Sequence, residues 1–291
     1  MSVTWNKATV LLLTFLWATS IRAVDADSIN RAASRDDFVH ASLLVIGPGN
    51  AVYEAYGHVA LRMECPSQGL DYCFTFEMPM NVQNLTKFFT SDSKAGFSSV
   101  PSEMYIAHFK KLGRSMTQYE LNLLPKEKQT LWRLLDEEAV KPPRWTFDVT
   151  QNSCTSMVAY ITEQSLDHER IVYHDLPQML EGSYNDVADS CSRNSPWAGL
   201  FWKLHMGDKG RKRADVSVMF MPEVMAEVWQ KATLEGDSTG KRPLVKGEAL
   251  LIAPQVLKVE PPLVTPNTAG LILILTAVAG MVFFWRRKKE K

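Results

Sequence analysis

The 291-residue sequence lacks the short motifs that most often announce a chemistry. It has no Gly-x-Ser-x-Gly elbow and no glycine-rich phosphate loop, which excludes the common presentations of a serine nucleophile and a bound nucleotide. No paired Cys or His spacing resembles a zinc site, so neither metal nor cofactor is expected. There is no internal repeat. Net charge is absent too, with 32 basic and 32 acidic side chains. Its distribution is uneven, however. The last six residues hold five bases and one acid, and the first 23 hold Lys7 and Arg22, so the stretch between is acidic by six charges. An acidic body argues against nucleic acid as a partner.

Both ends read as membrane-related. Lys7, the apolar run 8–17 and the small residues Ala18, Ser20, Ala23 and Ala26 follow the order of a secretory signal peptide. Residues 1–23 are assigned to it, with cleavage after Ala23 or Ala26. At the other end, 268–285 is apolar, and 269–285 alone would rise about 25 Å as a helix, enough to cross a bilayer. The basic tail 286–291 then stays cytoplasmic, and the proline-bearing 254–267 reads as a stalk. The expectation is a single-pass membrane protein whose body, residues 38–253, faces away from the cytoplasm. A sorting signal trimmed after export is the other reading of that tail.

Four cysteines in an exported chain invite disulfides. Cys65 and Cys73 flank a turn-rich segment between two strand-like runs, and a bridge across that hairpin is expected. Cys154 and Cys191 remain. Cys154 follows the strand-like 145–149 and precedes Met157, Val158 and Ile161, which are spaced as one face of a helix. With Ser153 or Asn152 as N-cap, the cysteine falls in the first turn, where the helix dipole favours a thiolate. A nucleophile is therefore expected at Cys154, against the plainer reading of a cysteine buried or bridged to Cys191.

Periodicity places the base. Val59, Leu61 and Met63 alternate with His58, Ala60 and Arg62, so His58 lies on the face opposite the apolar trio. In the next strand Asp71, Cys73, Thr75 and Glu77 share a face; Asp71, Thr75 and Glu77 are the candidates to orient the histidine. His40, His168 and His174 lie in polar segments and read as surface residues, while His108 and His205 read as helix or core residues. Arg211, Lys212 and Arg213 could meet lipid headgroups, but a solvated loop is the commoner use of such a run. Further helices are expected at 85–89, 105–111, around Leu131 to Ala139, and at 221–232. Strands are expected at 41–46, 114–123 and 247–252. This order is α+β rather than a regular βαβ alternation.

The motifs Val45, Ile46, Gly47, Pro48, Gly49; Tyr56, Gly57, His58; Tyr72 to Phe76; Gly113, Arg114, Ser115; and Trp145, Phe147, Asp148 before Cys154 occur in the order of the Lnb N-terminal periplasmic domain family, which this chain resembles over roughly 40–252. The later Pro196 and Trp197, Met219 to Pro222, and Pro243 to Val245 are similar as well. The resemblance implies a papain-like core in the circularly permuted NlpC-type arrangement, with an antiparallel sheet and a helix bearing the nucleophile. Carried over by position, Cys154 is the nucleophile and His58 the base of a thiol acyltransferase acting on lipoprotein or lipid acyl groups in the bacterial inner membrane. The chain departs from the family at Ser153, where Asn is usual, at Met157, where a base is usual, and at Cys73, where Asn is expected. A cell-wall peptide amidohydrolase on the same fold, and a non-catalytic envelope scaffold with Cys154 in a disulfide, are the alternatives.

Overall fold

The computed structural model describes residues 39–78, 93–192, 195–214, 221–237, 240–254 and 262–289. The expected signal peptide, the helix at 85–89 and half of the stalk (255–261) lie outside these residues.

The fold is mixed α and β, organised on one seven-stranded sheet. Its strands are β1 (His40–Ile46), β2 (His58–Cys65), β3 (Leu70–Glu77), β4 (Lys94–Pro101), β5 (Met116–Leu121), β6 (Trp145–Thr146) and, from the end of the body, β10 (Val245–Ile252). The order across the sheet is β10-β5-β1-β2-β3-β4-β6, and every neighbouring pair is antiparallel. A second sheet of three strands joins β7 (Glu169–Val172), β8 (Thr233–Gly236) and β9 (Gly240–Pro243).

Strand alternation sends each second side chain to the opposite face, and both faces are covered. One carries Leu43, Val59, Leu61, Met63, Phe74 and Phe76. Trp132 of α2 (Pro125–Ala139), Val158 and Ile161 of α3 (Cys154–Gln164), and Trp229 of α6 (Pro222–Lys231) join the same cluster. The other face carries Leu44, Ile46, Ala60, Cys73 and Met116 beneath Tyr105 and Phe109 of α1 (Ser102–Lys111). Fully burying such a side chain contributes roughly 1.5–3 kcal/mol, so this two-sided core holds the sheet between its helices.

Three sequence expectations are corrected. The Cys65–Cys73 bridge does not form, and none of the four cysteines is in a disulfide. Pairing sets Cys65 opposite Leu70 and Arg62 opposite Cys73. Cys65 thus joins the core with Phe74, while Cys73 points to the other face, where its thiol donates to Ser102 Oγ at 3.2 Å. Two sulfurs on opposite faces of a sheet cannot meet without breaking the register. The strand expected over 145–149 is also cut short after Thr146. There the Asp148 carboxylate accepts the Thr150 and Gln151 N–H groups and folds the chain into a turn. His40, expected as a plain surface residue, is partly covered and bonded to Glu120 at 3.0 Å.

The remaining helices are α4 (Tyr184–Cys191), α5 (Pro196–Met206) and α7 (Pro266–Lys289). Residues Pro266–Phe283 of α7 have a mean hydropathy of 1.8 and are not buried against the body, so this helix is long and apolar enough to cross a membrane.

Candidate functional site

The Asp148 turn delivers the chain to α3. Ser153 caps that helix: its Oγ accepts the Ser156 N–H at 3.3 Å, and Ser156 Oγ accepts the Ser153 N–H at 2.9 Å. This reciprocal pair satisfies two donors that a helix start leaves unpaired. Cys154 consequently occupies the first helical position, half-buried, against β2.

On the sheet side, Gly57 has φ +80, and a Cβ there would lie 2.5 Å from the Ile46 carbonyl oxygen. Only glycine makes that turn without strain, and it starts β2 at His58. The β2–β3 ladder begins two residues later, at Ala60 opposite Thr75. Ahead of that first rung, the backbone N–H groups of Val59, Thr155 and Cys154 act on the Cys154 thiol and favour its ionised form. The nucleophile candidate thus sits where α3 packs on β2, within electrostatic reach of the residue beside His58.

His58 is half-buried, and its Nε2 lies 2.7 Å from Thr75 Oγ1. Tyr105 donates its hydroxyl to the same Oγ1 at 3.5 Å. Of the three acidic or hydroxyl side chains expected to orient the imidazole, Thr75 is the one that bonds it. Asp71 faces the same side of β3 but accepts from Arg62 at 2.9 and 2.7 Å. Glu77 accepts from Ser98 at 3.5 Å.

Arg114 is the element that sequence reasoning passed over, though it stands in the Gly113, Arg114, Ser115 motif. It is only 4% exposed. Its Nε donates to the Gly47 carbonyl at 2.9 Å, its Nη1 faces Glu54 at 3.4 Å, and its guanidinium lies 5.0 Å from the Phe109 ring centre. Its charge reaches both reactive groups, lowering the pKa of His58 and of Cys154. A charged residue between a strand and a helix could have been read as functional, but nothing in the local sequence says it is buried.

Burial corrects one expectation. Desolvation pushes the Cys154 thiol up to about 11, outweighing the three N–H donors and Arg114. The helix start therefore does not yield a resting thiolate. Desolvation, helped by Arg114, lowers His58 to about 4. At neutral pH Cys154 is therefore a neutral thiol and His58 a neutral imidazole. Chemically, such a site can present a sulfur nucleophile whose proton must leave during the reaction, to a base held in place by a hydroxyl.

A family model described as Lnb N-terminal periplasmic domain matches residues 27–180, slightly more than half of the chain, and spans His58, Thr75, Arg114 and Cys154. No match was found among curated proteins, and none among solved structures.

Proposed function

Because the chain belongs to the Lnb N-terminal periplasmic domain family, we propose that it is a membrane-anchored thiol acyltransferase or hydrolase of the bacterial cell envelope, standing in the inner membrane with its body in the periplasm. The observation that carries this reading is the meeting of a helix-start cysteine with the histidine strand, at the Val59 N–H. A thiol placed there, with an imidazole whose far nitrogen is already bonded to Thr75, has the two parts that acyl transfer through sulfur requires.

The chemistry runs as follows. With Nε2–H donating to Thr75 Oγ1, Nδ1 keeps its lone pair and takes the Cys154 thiol proton as Sγ attacks the carbonyl carbon of an acyl ester. A C–S bond forms and the carbonyl oxygen becomes an oxyanion, to which the Cys154 N–H at the helix start is a fitting donor. Collapse breaks the ester C–O bond, and the imidazolium returns its proton to the leaving alkoxide. The acyl-thioester is then attacked by an amine or by water, whose proton passes to His58, and the sulfur leaves and is reprotonated. A thiol raised to about 11 fits proton transfer during attack rather than a standing ion pair. Lipid or lipoprotein acyl groups are the substrates that suit a body tethered to a membrane by an apolar helix.

The test is to trap the intermediate. The full-length protein in vesicles is mixed with acyl-labelled phospholipid or diacyl lipoprotein, quenched in acid, and the Cys154 peptide is weighed. An acyl mass at Cys154 that hydroxylamine removes, and that His58→Ala abolishes, is the expected result. Absence of acyl mass together with cleavage of a muropeptide would replace this reading with amide hydrolysis. Neither would leave the site without catalytic work.

A further inference from the structure

Helix α5 is apolar on two faces. Ala198, Trp202 and Met206 are buried against the body. Trp197, Leu200, Phe201 and Leu204 follow at intervals of three and four, so they form one stripe on a different face. That stripe is open: Leu204 is 74% exposed and Trp197 is 36% exposed, with Leu200 and Phe201 half-buried between them. A helix with apolar residues all round normally lies inside a core, yet this one has a bare side.

The neighbour of that bare side is the base of α7. Trp197 Nε1 donates to the Val264 carbonyl at 2.9 Å, two residues before α7 begins at Pro266, and α5 packs against α7. A tryptophan at the root of a membrane-length helix stands at the level of the headgroups, where its apolar ring and polar N–H are both accommodated. Just after α5, Arg211, Lys212 and Arg213 are all exposed, which suits an anionic headgroup layer.

We propose that the outer face of α5 lies in the headgroup layer of the same bilayer that α7 crosses, with Trp197, Leu200, Phe201 and Leu204 turned to the lipid. α5 is then an interfacial helix that fixes how the body sits on the membrane. Its inner face carries this to the site, since the Trp202 and Tyr56 rings lie 5.7 Å apart and Tyr56 is two residues before His58. The inference does not depend on Cys154 being a nucleophile, because it concerns only how the body is seated.

The test uses the full-length protein in vesicles of phosphatidylcholine, with and without phosphatidylglycerol. Benzoylphenylalanine is placed at position 204 in one variant and at position 140 in another, since Val140, just past the end of α2, is a similarly bare apolar residue at 83% exposure. After irradiation, lipid adducts at 204 should exceed those at 140 by about tenfold or more, as expected for a residue held in the interface. Equal lipid labelling at the two positions overturns the proposal. So does an adduct joining two copies of the chain at 204, which would make the stripe a self-association surface.

Discussion

Thr75 Oγ1 stands 2.7 Å from His58 Nε2 because the two strands are held in register one rung away, at Ala60 opposite Thr75. The bond follows from sheet geometry rather than from a loop. The orientation of the imidazole is therefore as rigid as the sheet itself.

Thr75→Val keeps the shape and removes the hydroxyl. The expected outcome is acyl transfer slowed by roughly tenfold or more, but less than the 10² to 10⁴ of losing a general base outright. KM should be unchanged, because Thr75 is 1% exposed and out of substrate reach. Thr75→Ser should restore the rate. A merely structural role for Thr75 would instead lower stability without this split, as read by kinetics and a urea titration on the same samples.

Cys154 should label slowly at neutral pH. A thiol raised to about 11 holds roughly a hundredfold less thiolate at pH 7 than an ordinary cysteine. The iodoacetamide rate, followed by mass spectrometry of the Cys154 peptide, should keep climbing with pH toward that value. Arg114→Met removes the nearby positive charge that favours the thiolate, so the climb should move to still higher pH. A rate that levels off below pH 8 would contradict this.

The lowered pKa of His58 makes stability depend on acid. The unfolded chain binds a proton near 6.5, whereas folded His58 does so only near 4. Between those values the unfolded state holds more protons, so stability is complete above about 6.5 and is lost as pH falls toward 4. Allowing for partial solvent access, the loss is about 1–2 kcal/mol. His58→Gln should lose correspondingly less between pH 7 and pH 4.5, measured as the difference between urea midpoints.

Arg242 ties the small sheet to the start of α2. Its Nη2 lies 2.9 Å from Glu127, its Nη1 bonds Glu169, and both carboxylate side chains are fully enclosed. Its Nε donates to the Asn122 carbonyl at 2.9 Å. Arg242→Met takes a shared cation away from two buried acids and should cost about 3–5 kcal/mol. Adding Glu127→Gln should recover part of it, because one of the stranded charges is removed. Additive losses in that cycle, read from denaturation midpoints, would mean the pair is not coupled.

Much of the sheet was legible because its strands alternate cleanly, from Val59, Leu61 and Met63 to Phe74 and Phe76. The caps were legible as well: Ser153 sits where short-range chemistry puts it. The region after α3 was not. Neither β7 nor its distant partner β8 has a periodic signal of its own, and β9 is a four-residue strand carrying Arg242. The disulfide expectation failed for a related reason. Spacing in the chain set Cys65 and Cys73 close together, while alternation in the sheet set them on opposite faces.

The sequence alone determined what is local: most strands and helices up to α3, that Cys154 begins a helix, that His58 turns away from the main core, and that 268–285 has membrane length. Those follow from period, capping and composition, which act over a few residues. The tertiary structure decided everything that depends on distant partners. It chose Thr75 over Asp71 and Glu77: the register sets Asp71 opposite Glu64, far along the strand from His58, and Glu77 accepts from Ser98. It placed Arg114 behind both reactive groups, and it raised the thiol pKa that the helix start would have lowered. Desolvation is set by whatever surrounds a group in space, and no stretch of chain around Cys154 carries that information.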